Sequence, residues 1–184
     1  MVYLFLAEGF ETIEALTVVD MLRRAGIDIT TVSITDSLEV KSAHGIVVKA
    51  DELLSNVKDN DSECLVLPGG MPGTNNLRAN DTLMDMVIKQ NEAGKYVAAI
   101  CAAPAVIFSE LGITKGKNST CYPSFNDKLE DEGGNLIKLP AVVDGNVITG
   151  MGMGTAIEFS HAIIKELKGK EIADKILDSI CFYK

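Results

Sequence analysis

Short apolar runs recur along this chain with helix-periodic stretches between them, and that alternation limits the available folds more than any other feature of the sequence. Val2 to Leu6 is one such run. A strand without a polar face has to be covered on both sides. Cys64-Leu65-Val66-Leu67, stopped by Pro68-Gly69-Gly70, and Tyr96-Val97-Ala98-Ala99-Ile100 read the same way, and Ile29 to Ile34 reads as a further strand. After the first run, Ile13, Leu16, Val19 and Leu22 recur at a three-residue step, broadened by Val18 and Met21. This predicts a helix that Gly26 ends with a left-handed cap. Asp81 to Ala93 carries Leu83, Met84, Met86 and Val87 at helical spacing, and Thr155 to Leu167 and Glu171 to Ile180 are helical on either side of Gly169. Strands alternating with helices predict an α/β chain, a three-layer α/β/α sandwich around a mostly parallel, doubly wound sheet.

The remaining segments are shorter. Leu38 to Val40 and Ile46 to Val48 read as hairpin-like strands, and a helix runs on from Cys101 through Val106, Ile107 and Phe108. Lys115 to Asn135 reads as surface loops, and Val142-Val143 and Val147-Ile148 as a hairpin turning at Asp144-Gly145. With 184 residues, 47% of them hydrophobic, the chain can bury a continuous core as a single domain, 1–184. A net charge of -9 opposes binding to nucleic acid or anionic lipid. The amino-terminal apolar run has no basic region before it and is too short for a signal peptide or a membrane span, so a soluble, cytoplasmic protein is expected. Cys64, Cys101, Cys121 and Cys181 lie far apart, and the only histidines are His44 and His161, which predicts neither a metal site nor a disulfide framework.

In an open parallel sheet, reactive groups gather beyond the carboxyl ends of the strands. Leu6-Ala7-Glu8-Gly9, Pro68-Gly69-Gly70 and Cys101-Ala102-Ala103-Pro104 all end strands in this way. At a helix amino end, Cys101 is expected to ionise: a free thiol is roughly 3% thiolate at pH 7, and a pKa near ~5.5 makes it almost wholly so. Ala102 and Ala103 leave room for backbone N–H groups to reach an oxyanion. Local sequence alone leaves open the alternative that Cys101 is a small buried residue. Gly150-Met151-Gly152-Met153-Gly154 lacks the third-glycine spacing and the downstream acid of a dinucleotide site.

Four blocks, in order, resemble the signature of the DJ-1/PfpI (ThiJ) superfamily. They are Ala7-Glu8-Gly9-Phe10-Glu11-Thr12-Ile13-Glu14, Val66-Leu67-Pro68-Gly69-Gly70, Ala98-Ala99-Ile100-Cys101-Ala102-Ala103-Pro104 and Gly152-Met153-Gly154-Thr155. The likeness is closest to the DJ-1 branch, because PfpI-type proteases carry a histidine where this chain has Ala102. It implies a flavodoxin-like fold of the class I glutamine amidotransferase-like kind. It also implies that Cys101 and Glu14 are catalytic, with Glu14 protonated and donating to the thiolate; Glu11 is its rival. Gly70 and Ala102 would supply backbone donors, with Gly69 beside them. Tyr122 stands where many relatives carry a histidine, and Cys121 next to it is a candidate disulfide partner whose orientation the spacing leaves open. His44 would lie at a dimer contact near the partner's site, and the helix from Thr12 to Ala25 would pack on its copy. His161 reads as a structural helix residue.

The activity so implied is cofactor-independent, glyoxalase III-type conversion of a small reactive carbonyl, methylglyoxal or glyoxal, to a hydroxy acid, with deglycase activity ranked below it. A redox-sensing or chaperone role through oxidation of Cys101 is the alternative. A peptidase or amidase ranks last.

Overall fold

The computed structural model describes residues 1–58 and 62–182; positions 59–61 and 183–184 of the expected domain lie outside the described residues. Its elements begin with β1 (Val2–Leu6), α1 (Thr12–Arg24), β2 (Ile29–Ser33), β3 (Glu39–Lys41), β4 (Val47–Lys49) and β5 (Glu52–Leu53). Next come β6 (Cys64–Leu67), α2 (Gly73–Arg78), α3 (Asp81–Glu92) and β7 (Tyr96–Ile100), and then a π-helical turn, Pro104–Ser109. The chain closes with β8 (Asn118–Ser119), α4 (Asn126–Asp131), β9 (Asn135–Leu136), β10 (Ala141–Asp144), β11 (Val147–Gly150), α5 (Ala156–Lys168) and α6 (Lys170–Ser179).

Seven strands form the main sheet in the order β10-β11-β7-β6-β1-β2-β5, parallel except for β10. Successive residues of the central strands point to opposite faces, as strand geometry requires. Leu4, Leu6, Val66, Ala98 and Ile100 join α1, α5 and α6 in one core. Phe5, Leu65, Leu67, Val97 and Ala99 join α2, α3 and the π turn in the other. These are the three layers read from the alternation of elements. Helix α1 ends in a Schellman motif: Gly26, at φ +68°, gives its N–H to Arg23, and Ile27 gives its own to Leu22.

Four readings need correction. Ile13 is exposed and Leu16 only half-buried, because the inward face of α1 is Glu14, Ala15, Val18, Val19, Met21 and Leu22. The continuation from Cys101 is a π turn rather than an α-helix; the Ser109 hydroxyl lies 3.2 Å from the carbonyl oxygen of Pro104 and 2.8 Å from the Thr114 hydroxyl. Lys115 to Asn135 is more than surface loop, since α4 buries Leu129 and β8 pairs in parallel with β9. The β10–β11 turn is Gly145-Asn146, because Asp144 is already paired with Val147. Positive φ falls on the first loop position, Gly145, as a type II′ hairpin turn demands.

Candidate active site

The chain builds the sheet outward from β1 to β2 and β5, then crosses back to β6 on the other side of β1. That reversal opens a crevice at the strand carboxyl ends between β1 and β6, and β7 delivers Cys101 beside it. Cys101 has φ +67°, a conformation strained for a residue with a side chain. The surroundings hold it there. Its N–H donates to Gly150 O at 3.0 Å, and its carbonyl accepts from Tyr122 N at 2.7 Å. The backbone N–H groups of Gly70 and Ala102 act on the sulfur in the sense that favours its anion.

Glu14 points inward from the first turn of α1 and is 1% exposed. Its Oε2 accepts the Gly69 N–H at 2.8 Å, while its Oε1 is buried with no partner. Gly69 fits between the two groups only because it lacks a side chain. A Cβ there would lie 2.6 Å from both Glu14 Oε2 and Cys101 Cβ, and 3.1 Å from the sulfur. Gly70, at φ +89°, leaves no room either, since a Cβ would come 2.4 Å from Glu11 N.

Burial pushes the Glu14 carboxyl up to about 7, with the charge of Glu11 adding to the rise and hydrogen bonds to Cys101 and Gly69 opposing it. Burial also pushes the Cys101 thiol up to about 12, with the charge and hydrogen bond of an ionised Glu14 adding to the rise. The Gly70 and Ala102 donors oppose it. A helix end therefore does not ionise this thiol by itself, contrary to the expectation from sequence: the helix following it is one π turn, and the sulfur is largely desolvated. Carboxyl and thiol compete for a proton. When Glu14 holds it, the carboxylate's charge disappears and its O–H can donate to sulfur, so the thiolate and the neutral acid belong together.

The other candidates fall around this pair. Glu11 caps α1 by accepting the Ile13 N–H at 3.4 Å and gives its own N–H to Gly69 O at 2.9 Å; it is Glu14, not Glu11, whose carboxyl group converges with Cys101 on Gly69. His44 is 75% exposed, and its Nε2 lies 3.7 Å from Glu11 Oε2. Tyr122 is half-exposed beside Cys101, its ring resting on Gly152, where a Cβ would lie 3.3 Å from the ring. The sulfur of Cys121 is buried with Ala105 and Leu129 and bonds to Asn126 Oδ1 at 3.6 Å. Cys64 is a core thiol that burial pushes up, and all four cysteines are free. His161 pairs with Asp174 at 2.9 Å between α5 and α6. Among the described residues, no cluster of His, Cys, Asp or Glu is placed to hold a metal ion, and no helix is long and apolar enough to cross a membrane.

The Gly152–Tyr122 contact and the capping role of Glu11 were not read from the sequence. A glycine following a strand and a glutamate opening a helix were their only signals.

Residues 1–166 match the DJ-1/PfpI family. Protein DJ-1 homolog A of Arabidopsis thaliana is 40% identical over 171 residues, 93% of this chain, which spans only 44% of that relative's length. The Caenorhabditis elegans protein named Glutathione-independent glyoxalase DJR-1.2 is 30% identical, with 96% of this chain and 93% of that protein covered. The solved structure of oxidized DJ-1 from Toxoplasma gondii superposes with a TM-score of 0.94 at 34% identity, over 100% of this chain and 98% of that one. Sequence and fold agree over almost the whole length, and the chain belongs to the DJ-1/PfpI family.

Proposed function

We propose that the chain is a cysteine-dependent glyoxalase III-type enzyme that converts methylglyoxal or glyoxal to the hydroxy acid without a cofactor. The observation that carries this reading is the unpartnered, buried Oε1 of Glu14 in a carboxyl group that faces Cys101 across Gly69. The Cys101 thiolate attacks the aldehyde carbon, and the carbonyl electron pair becomes an oxyanion that the Gly70 and Ala102 N–H groups hold. Glu14 supplies the proton that makes a hemithioacetal and, now ionised, removes the hydrogen from that carbon. The electron pair of that C–H bond passes to the neighbouring carbonyl as an enediolate; Glu14 returns the proton to the adjacent carbon, the hydroxyl proton passes to that carbon's oxygen, and water hydrolyses the resulting thioester to the hydroxy acid and the free thiol. Methylglyoxal plus water gives lactate, so no external oxidant is required. The C. elegans relative's name supports this chemistry.

Lactate formation from methylglyoxal, without added glutathione, tests the reading. Cys101→Ser is expected to fall to background, and Glu14→Gln by at least about a hundredfold, the usual range for a lost general acid–base. Undiminished turnover in Cys101→Ser would refute the proposal.

The second reading, oxidation sensing at Cys101, draws on the oxidized state of the T. gondii structure. Peroxide treatment that converts Cys101 stoichiometrically to a sulfinate, in a protein making no lactate, would favour it. Deglycase activity ranks below the glyoxalase. A peptidase lacks support, since the two histidines stand at Glu11 and Asp174 rather than on the sulfur. We further propose a homodimer through α1.

A further inference from the structure

Glu11 stands between solvent and the buried acid. Its side chain is 13% exposed, and its anchors fix it: the Ile13 N–H on one oxygen, His44 against the other, and its own N–H on Gly69 O. The position of His44 is likewise built in. The β3–β4 hairpin is tied to the β1–α1 loop by Gly9 N to Lys41 O at 2.8 Å, Ala43 N to Phe10 O at 2.9 Å and Lys41 N to Glu8 Oε1 at 3.0 Å. The charged and titratable groups facing Glu11 are thus His44 from the hairpin tip and Glu14 from its own helix, with Cys101 beyond it; Glu8 is engaged by the Lys41 N–H.

We propose that the charge of Glu11, held against His44, sets where the proton shared by Glu14 and Cys101 resides, Glu11 acting as a positioning residue. The proposal rests on the reading of Cys101 as the nucleophile. The sign of the effect is distinctive. Glu11's charge strengthens the hold of Glu14 on its proton, which shifts the balance toward an anionic sulfur. A plain negative charge near a thiol would suppress the thiolate; acting through Glu14, this one favours it. A fixed cation at position 44 would offset Glu11 and return the proton to sulfur.

The test is the rate at which iodoacetamide alkylates Cys101 at pH 7.5, followed at the Cys101 peptide by mass spectrometry, so that exposed Cys181 does not interfere. Glu11→Gln keeps an acceptor for the Ile13 N–H and is expected to react about fivefold more slowly, the Boltzmann factor of a charge pair screened nearly as in water. His44→Lys, at an exposed position, is expected to slow the reaction to a similar degree, and the double variant to add little further. A reactive wild type with an unchanged or faster Glu11→Gln, or two independent additive effects, overturns the coupling alone. A wild-type Cys101 inert below pH 8 sinks the nucleophile reading and the coupling with it.

Discussion

Because the folded chain holds the Glu14 proton more tightly than an exposed carboxyl would, this residue lowers stability whenever it is ionised. Its pKa rises from 4.5 to about 7 on folding. The stability that the protonated acid contributes is fully present below 4.5 and is lost as pH rises through 7, by about 3 kcal/mol at ~1.4 kcal/mol per unit. Glu14→Gln, neutral at every pH, is expected to be more stable than wild type in urea at pH 8, with the gap closing toward pH 4. An equal gap at both pH values would show that the acid is not held protonated. The position of Glu14 was only partly legible. Reading the apolar step from Ile13 turned α1 by one residue, and a glutamate on the buried face is the residue that hydrophobic periodicity discounts. The match of whole sequence blocks pointed to Glu14, whereas the chemistry of a helix start could not separate it from Glu11.

Long elements were legible because burial leaves a pattern, on both faces of β1, β6 and β7 and along one stripe of α3, α5 and α6: all six lie within a residue or two of where the apolar spacing put them. Among the short ones the β3–β4 hairpin was read to within a residue, but segments that single side chains hold were not. The β10–β11 turn is an example. Asn146 Nδ2 reaches Asn91 O at 3.3 Å, Asn91 Oδ1 at 3.0 Å and Lys95 O at 3.0 Å, docking the hairpin onto the end of α3. No spacing rule reveals that an asparagine one residue past a glycine will do this. Asn146→Ala removes the donor of these hydrogen bonds, so a loss of about 1–2 kcal/mol in urea unfolding is expected. A loss below a few tenths would mean that the turn backbone alone sets the register. The π turn after Cys101 was equally hidden, since its closing contact at Ser109 is a single hydroxyl in an apolar run.

At the scale of the molecule, the misreading of α1 becomes informative. Ile13 and Leu16 carry helical apolar spacing but do not enter the core; with Met21, Ile157 and Ile180 they line an outer groove between α1 and the two C-terminal helices. Asp20 and Arg24, bonded to each other at 2.6 Å, also line it. A second copy of α1 is the occupant that suits such a stripe. Twofold packing presents one apolar face to an identical one and allows Asp20 of one protomer to meet Arg24 of the other, whereas a groove left in water would expose Ile13 at 48%. Light scattering is expected to give twice the chain mass of 19.7 kDa. Ile13→Glu with Leu16→Glu places four carboxylates across the twofold and is expected to return the protein to the monomer mass. Since neither side chain belongs to the core, the variant should unfold at nearly the wild-type temperature when both are measured at a dilution where wild type has dissociated. A dimer that survives the double change would place its interface on another face, and a wild-type monomer would leave the groove without a partner.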